Sequence, residues 1–506
     1  MNNKTSNFKQ SIKRNMYKWH RTIGLITVIP VIFWTLSGLM HPFLSNWFKP
    51  QIAHQILVQK PIDKGQIKLT LQDVLLKNNI QEFKNFRIVN FDQQTYYQLK
   101  SIKGDLQYFN TTTGIVLSNG DERYAEYLAR YFIADRSSKI KSITVQTGFS
   151  QQYKYVNRYL PVWKVSFNRK DAMDVYVETA SSQLATFNTD ARKTFLWLFD
   201  NFHSWSFLEA ISNNTFKTCV MVVLLSIITL SALSGILIYG VLWKKFKKPK
   251  QGSKIGFLRL YHRQIGICIS LLTLTFAFSG AYHVMNKLNT NTIQNVVYQP
   301  NINLSELKIP NNILNLDLDR LNNISLVKFK KQVYFQVFYN KTEDMPDEII
   351  YINAKDSSKL NNGNLEYAKF LANKFENKSE DTDEPEMECC TSNVTENDIC
   401  KAKLIKTSVL YKFDDREYGF VFKRLPVVKL TYNTPNHTNL YIDTKTSRLA
   451  AKIADADRYE GYSFAFLHKF HYLDWAGKNF RDFFILLAAL LILTVSLLGL
   501  MIFIKK

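Results

Sequence analysis

Three shortages frame this 506-residue chain. Its 18 glycines form no Gly-x-Gly-x-x-Gly and no P-loop, so the backbone cradles that hold nucleotide phosphates are missing. Acidic residues number 42 against 65 lysines and arginines, and none falls within the long apolar runs. Cysteines number only five. A flavin or nicotinamide domain is therefore not expected within the chain, and disulfide chemistry is confined to a local staple at most.

A net charge of +23 points to nucleic acid or to a membrane surface, and its distribution decides between them. Residues 1–21 hold Lys4, Lys9, Lys13, Arg14, Lys18 and Arg21 with no acid. Residues 244–263 hold eight further cations with no acid, and Lys505–Lys506 close the chain. These charges flank apolar runs that can cross a bilayer core of about 20 helical residues. They read as topology charge, with a lipid bilayer and no nucleic acid as partner. The expected order is a cytoplasmic tail (1–22), TM1 (23–41), an external domain (42–215), TM2 (216–243), a cytoplasmic loop (244–263), TM3 (264–285), a second external domain (286–480) and TM4 with the C-terminus (481–506). The first run is not read as a signal peptide, because no small-x-small cleavage site follows it and a sister copy lies internally. The positive-inside rule puts both termini in the cytoplasm and both large domains in the periplasm of a bacterial inner membrane.

The sister copy marks a tandem duplication. His20-Arg21-x-Ile23-Gly24 and Ser37-Gly38-x-x-His41 recur as His262-Arg263-x-Ile265-Gly266 and Ser279-Gly280-x-x-His283, at an offset of 242. Gly120, Tyr124, Ala125 and Leu128 recur as Gly363, Tyr367, Ala368 and Leu371, at 243. Leu160-Pro161-Val162 recurs as Leu425-Pro426-Val427, at 265, which places an insertion over 377–401 in copy two. Before the second helix of each copy, Phe202-His203 is matched to Phe470-His471; on that register Asp200 stands where copy two has His468. Outside the membrane, alternating strands (86–91, 96–100, 106–110, 333–338, 349–353) and helical stretches (69–77, 121–132) predict two duplicated α+β domains beside four transmembrane helices.

Seven of nine histidines sit at membrane boundaries: His20 and His262 at the start of TM1 and TM3, His41 and His283 at their ends, and His203, His468 and His471 just before TM2 and TM4. A lone histidine there is an interfacial cap. Repeated ionisable residues on corresponding helices are functional candidates. Paired imidazoles from separate helices suit haem iron. Zinc favours short spacings and added Cys or carboxylate, and His468-x-x-His471 is the one short pair. His20 and His41 lie 21 residues apart, ~31 Å along a helix and roughly on one face. His20 and His262 are thus expected to hold an inner haem. His41, His283, His203, His471 and His468 are left as candidates for one or two outer ones. Phe33, Trp34, Phe276 and Phe278, between the levels, read as packing.

Two copies of a His-Arg-x-x-Gly helix, an external domain and a returning helix resemble the PepSY-associated transmembrane family, over nearly the whole chain. Leu467-His468-Lys469-Phe470-His471-Tyr472-Leu473-Asp474-Trp475 is similar to a segment common in that family. The resemblance implies four membrane helices, PepSY-like periplasmic domains, haem b bound by helix histidines, and reduction of a ferric chelate, such as a ferric siderophore, in iron uptake. The electron donor would be separate, a quinol or a cytoplasmic reductase. Competing readings are a non-enzymatic PepSY module that binds peptides or regulates a protease, and a chelate transporter. Cys219 and Cys268 read as helix packing; Cys389, Cys390 and Cys400 fall in the acidic insertion, with Cys400 expected to close on one of the other two.

Overall fold

A computed structural model describes the chain except for residues 1, 44–49, 59–61, 63, 244–245, 247–249, 251, 287, 289–295, 308–319, 341–347, 377–401, 415–416 and 506. The insertion and its three cysteines lie outside the described residues.

Along the chain, α1 (Asn2–Pro42) leads into α2 (Leu71–Lys77), β1 (Glu82–Phe83), β2 (Asn85–Phe91), β3 (Gln94–Lys100), β4 (Leu106–Asn110), α3 (Gly120–Ile133), β5 (Ile140–Gln146), β6 (Val162–Phe167), β7 (Asp174–Glu178) and β8 (Gln183–Asn188). Then come α4 (Asp190–Phe202), α5 (Asn214–Leu242) and α6 (Lys254–Asn286). Copy two continues with β9 (Ile302–Asn303), β10 (Leu321–Phe329), β11 (Gln332–Tyr339), β12 (Glu348–Asn353), α7 (Gly363–Glu376), β13 (Leu404–Leu410), β14 (Val427–Tyr432), β15 (Asn439–Asp443) and β16 (Arg448–Ile453). It closes with α8 (Asp455–Ser463), a π turn (Phe464–His468), a 3-10 turn (His471–Ala476) and α9 (Lys478–Ile504). Among the described residues α1, α5, α6 and α9 are long and apolar enough to cross a membrane, and the mixture of helix and sheet makes this an α+β membrane protein.

The chain divides into two compact units. One holds the four long helices together with α8 and nearly all of α4. Within it α5 packs on α6 and α1, and α9 on α1 and α6. Backbone polar groups inside an apolar span must be satisfied internally, which favours helix over all else. The hydroxyls follow the same rule: Ser37 donates to Phe33 O at 2.7 Å and Ser279 to Thr275 O at 2.7 Å, so each points back along its own helix. The Asn213 side chain caps α5 by accepting from Phe216 N at 2.9 Å.

The other unit contains both strand-rich domains. Each copy builds a three-stranded antiparallel sheet (β2-β3-β4; β10-β11-β12) and a four-stranded one (β5-β6-β7-β8; β13-β14-β15-β16), with α3 or α7 against them. Gly120 and Gly363 start those helices hard against a tyrosine. A Cβ there would lie 2.8 Å from Tyr108 or 2.7 Å from Tyr351, so any larger residue lifts the helix off the sheet. The strands at 86–91, 96–100, 106–110, 333–338 and 349–353 form as expected, each within a residue or two, while Thr70 turns out to be the cap of α2 and its box partner is Asp73.

The copies share one apolar core, in which Leu75, Phe83 and Ile88 meet Ile302, Ile324 and Val337. Asn323 locks the seam by donating to Ile88 O (2.9 Å) and accepting from Ile88 N (3.0 Å). A second seam is ionic. Arg424 is buried 3.2 Å from Asp443 and 3.7 Å from Glu178, carboxylates at matching positions of the two copies, and its guanidinium lies 4.9 Å over the Tyr159 ring. Tyr159 is the copy-one counterpart of Arg424, and its hydroxyl donates to Lys423 O at 2.8 Å.

Candidate functional site

The boundary histidines fall into two groups within the helical unit. His20 on α1 and His262 on α6 face each other with ring centres 6.4 Å apart and planes at 57°. Two imidazoles that bind one iron end-on, at ~2.0 Å per metal–nitrogen bond, bring their centres about 6.3 Å apart. Both rings line a cavity of about 1210 Å³ between the four long helices, larger than the ~300–1,000 Å³ of ordinary small-ligand sites. Its walls are notably bare: Gly24, Gly235, Gly266 and Gly499 all contribute. A Cβ at Gly235 would come 3.4 Å from His20 Cε1, and one at Gly499 would come 3.3 Å from His262 Cε1. Two glycines on α5 and α9 thus make the space into which each imidazole turns.

Each ring is held by one nitrogen. His20 Nδ1 bonds Ser234 Oγ at 2.8 Å, and His262 Nδ1 bonds Val495 O at 3.1 Å. Among the described residues Nε2 of neither ring has a hydrogen-bond partner, and the Nδ1 bond fixes each ring's orientation, as the outer hydrogen bond of a metal-bound histidine does.

The second group lies at the other end of α1 and α6. His203 Nδ1 bonds Ser37 Oγ at 3.1 Å; His468 Nδ1 bonds Ser279 Oγ at 3.3 Å. A Cβ on Gly38 or Gly280, the next residue in each case, would lie 4.0 Å from the Cε1 of the same histidine. Phe199 stacks on His203 at 4.4 Å, and Phe464 on His468 at 4.8 Å. The turn that follows each histidine places Trp205 at φ 51° and Phe470 at φ 52°. His203 therefore corresponds to His468, at the offset of 265, and not to His471. The match of Phe202-His203 to Phe470-His471 is corrected, and with it the pairing of Asp200 with His468. His471 is occupied elsewhere, bonding Asp474 at 2.6 Å and Arg481 at 3.0 Å. His468-x-x-His471 accordingly forms no common metal site, and among the described residues no three or more His, Cys, Asp or Glu side chains gather to hold a bare ion. Burial, then the nearby His203, Lys469 and His283, push the His468 imidazole well below the ordinary histidine range, so it stands neutral with a lone pair to give.

His41 and His283 come next. His283 stacks on Phe464 at 4.2 Å and His41 lies 5.9 Å from Phe199. Each copy thus carries a ladder of histidine, phenylalanine, histidine. In copy two Phe464 stacks on both imidazoles, whereas in copy one Phe199 stacks on His203 and meets His41 at a tilt. His283 Nδ1 hydrogen-bonds the Glu460 carboxylate, whereas the surroundings of His41 are set by Lys469, Asp482, Lys478 and Arg481. Sequence reasoning missed Glu460 and Asp482. Asp482 is 5 % exposed, with one oxygen lacking a hydrogen-bond partner among the described residues, and its signal was the one acid in a long, mostly apolar helix. Trp34 and Phe276 are not mere filler between levels: Trp34 Nε1 donates to His203 O at 2.8 Å, and Phe276 lies edge-on to His468 at 5.1 Å. Phe33 and Phe278 remain exposed. Cys219 and Cys268 are free and exposed on their helices.

The donor set is imidazole in facing or copy-matched positions, the walls around the rings are largely aromatic and apolar, and glycine opens the space beside each ring. These features fit a haem. A family model described as "PepSY-associated TM region" matches residues 41–313. The match takes in His41, His203, His262 and His283 and stops short of His468. No curated protein matches the chain.

Proposed function

From the premise that this chain belongs to the PepSY-associated transmembrane family, we propose that it is an inner-membrane b-type haem protein that reduces a periplasmic ferric chelate, such as a ferric siderophore, in iron acquisition. The carrying observation is the tethering of imidazoles. Four histidines at two levels, paired by the duplication, each have Nδ1 anchored to a hydroxyl or carbonyl. His20 and His262 would hold one haem; His203 and His468 would hold a second. Bound haem supplies the one-electron couple that such a reduction needs.

The residues do the remainder. Ser234 and the Val495 carbonyl fix the inner rings, and Ser37 and Ser279 the outer ones. Gly235 and Gly499 hold the inner faces open. His41 and His283, which contact the same phenyl rings as the outer pair, would take a third haem or meet the substrate. The basic flanks 1–21 and 244–263 support a cytoplasmic inner level and periplasmic strand-rich domains, by the positive-inside rule. Electrons would come from a separate donor, a quinol or a soluble reductase.

The test is a haemochrome assay and spectrum on the purified chain. At least two haems per chain and a Soret band that shifts on reduction are expected. A colourless pure protein refutes the reading and leaves the peptide-binding PepSY module in its place.

A further inference from the structure

We propose that Arg21 and Arg263 are the anion anchors of the inner cavity, holding the two propionate carboxylates of a bound haem at the cytoplasmic helix ends; this rests on the haem reading above. Each arginine directly follows an inner histidine, and the pair shares the 242 offset. Both line the cavity that contains both rings. Arg21 Cζ lies 5.3 Å over the Phe503 ring and Arg263 Cζ lies 4.4 Å over Phe246, and both phenyl rings line the same cavity.

These contacts give the direction in which the guanidiniums reach. Phe503 lies one helical turn past Gly499, the residue against His262. Phe246 lies past the end of α5, beyond Gly235, the residue against His20. The two guanidiniums therefore extend from the histidine level toward the cytoplasmic ends of α5 and α9. Among the described residues neither forms an ion pair, and the cavity wall adds Lys18, Lys250 and Arg259 with no Asp or Glu. Stacking uses the flat face of a guanidinium and leaves its N–H edge free to take a carboxylate in a two-pronged grip.

A general topology signal explains cations outside the membrane. It does not explain two at matched positions inside a cavity, each beside a candidate iron ligand and parked on an aromatic ring. A haem brings two carboxylates that are costly to bury unpaired. Two unpaired arginines at one end of the cavity meet that need and set the macrocycle's orientation.

The full-length chain, prepared without haem in detergent, is titrated with haemin and with haemin dimethyl ester, which lacks the two charges. Soret formation reports each binding equivalent. One equivalent should bind the ester ~10-fold or more weakly than haemin. R21Q/R263Q should bind haemin at that site no better than the ester, with ester binding unchanged, and R21K/R263K should recover most of the preference. Three results overturn the assignment while the haem reading stands: equal binding of haemin and ester by the native chain, a double variant that keeps the preference, or a double variant that weakens both ligands equally. A chain that takes up neither compound overturns the haem reading itself, and this inference with it.

Discussion

The two copies agree where an imidazole is held and differ in what surrounds it. His203 and His468, Ser37 and Ser279, and Gly38 and Gly280 occupy matching places with matching contacts, and His20 and His262 occupy matching places although one bonds a serine hydroxyl and the other a backbone carbonyl. The walls diverge. Copy one stacks Trp34 on Trp205 at 5.0 Å where copy two has Phe276 against Phe470 at 5.2 Å. Copy one has Phe195 where copy two has Glu460, so the carboxylate that bonds His283 has no counterpart at that position in copy one. Pro30 stands inside α1 where α6 has Leu272. Constancy at the nitrogen-bearing positions with drift in the lining is the pattern expected when geometry at the rings is constrained and packing is free to be re-solved.

The largest effects should come from the constant positions. His203→Ala and His468→Ala should each remove one haem per chain, whereas His471→Ala should leave the count unchanged; a haemochrome assay on the three variants decides the register. If His471→Ala behaves like His203→Ala and His468→Ala does not, the structural match of the copies fails. Ser37→Ala and Ser279→Ala should both loosen outer haem by ~10-fold, as loss of an outer hydrogen bond to a ligating histidine does, read from transfer of haem to apomyoglobin. An effect in one copy only would show that the two serines are not equivalent.

Smaller effects should separate the copies. Glu460→Gln should shift the spectrum or potential of whatever His283 serves and leave the signals of His20 and His262 in place, because copy one functions with Phe195 there. Trp34→Phe removes the 2.8 Å bond to His203 O and should cost about 1 kcal/mol of stability without loss of haem, since copy two already carries Phe276. The smallest change concerns pH. Hydrogen bonds from the Ser138 hydroxyl and N–H, then from Ser137 and Arg169, hold the Asp135 carboxyl below its ordinary range. The folded value lies under the unfolded one of ~3.9, so this stabilisation is present at neutral pH and is lost as the pH falls through the carboxylate range. Asp135→Asn should flatten the acid limb of a melting-temperature profile slightly; an unchanged profile would remove Asp135 from the account.

The duplication was legible because helix motifs tolerate no gaps, so His-Arg-x-x-Gly keeps its offset across the membrane. Strands β2, β3, β4, β11 and β12 were legible as alternating apolar residues. The edge strands β5 and β13 were not, since five of seven residues in each are polar or exposed enough to blur the alternation. The register of the outer histidines was misread because an adjacent Phe-His pair outweighed a wider pattern. Phe199-x-x-x-His203-x-Trp205 against Phe464-x-x-x-His468-x-Phe470 fits the 265 offset that Leu160-Pro161-Val162 had already set. Glu460 lies 177 residues from His283, and nothing local in either segment announces the contact.

The buried Arg424 carries a consequence for how this chain can be divided. A dimer of copy one with itself would bring two Glu178 and two Tyr159 to the seam without the bridging guanidinium, leaving Lys100 as the cation near each carboxylate. A dimer of copy two with itself would bring two Arg424 and two Asp443, which balance. The present seam, one guanidinium over a tyrosine ring and beside two carboxylates, forms only with one half of each kind. The halves are therefore no longer interchangeable parts, and fusion into a single polypeptide is what guarantees that they meet one to one.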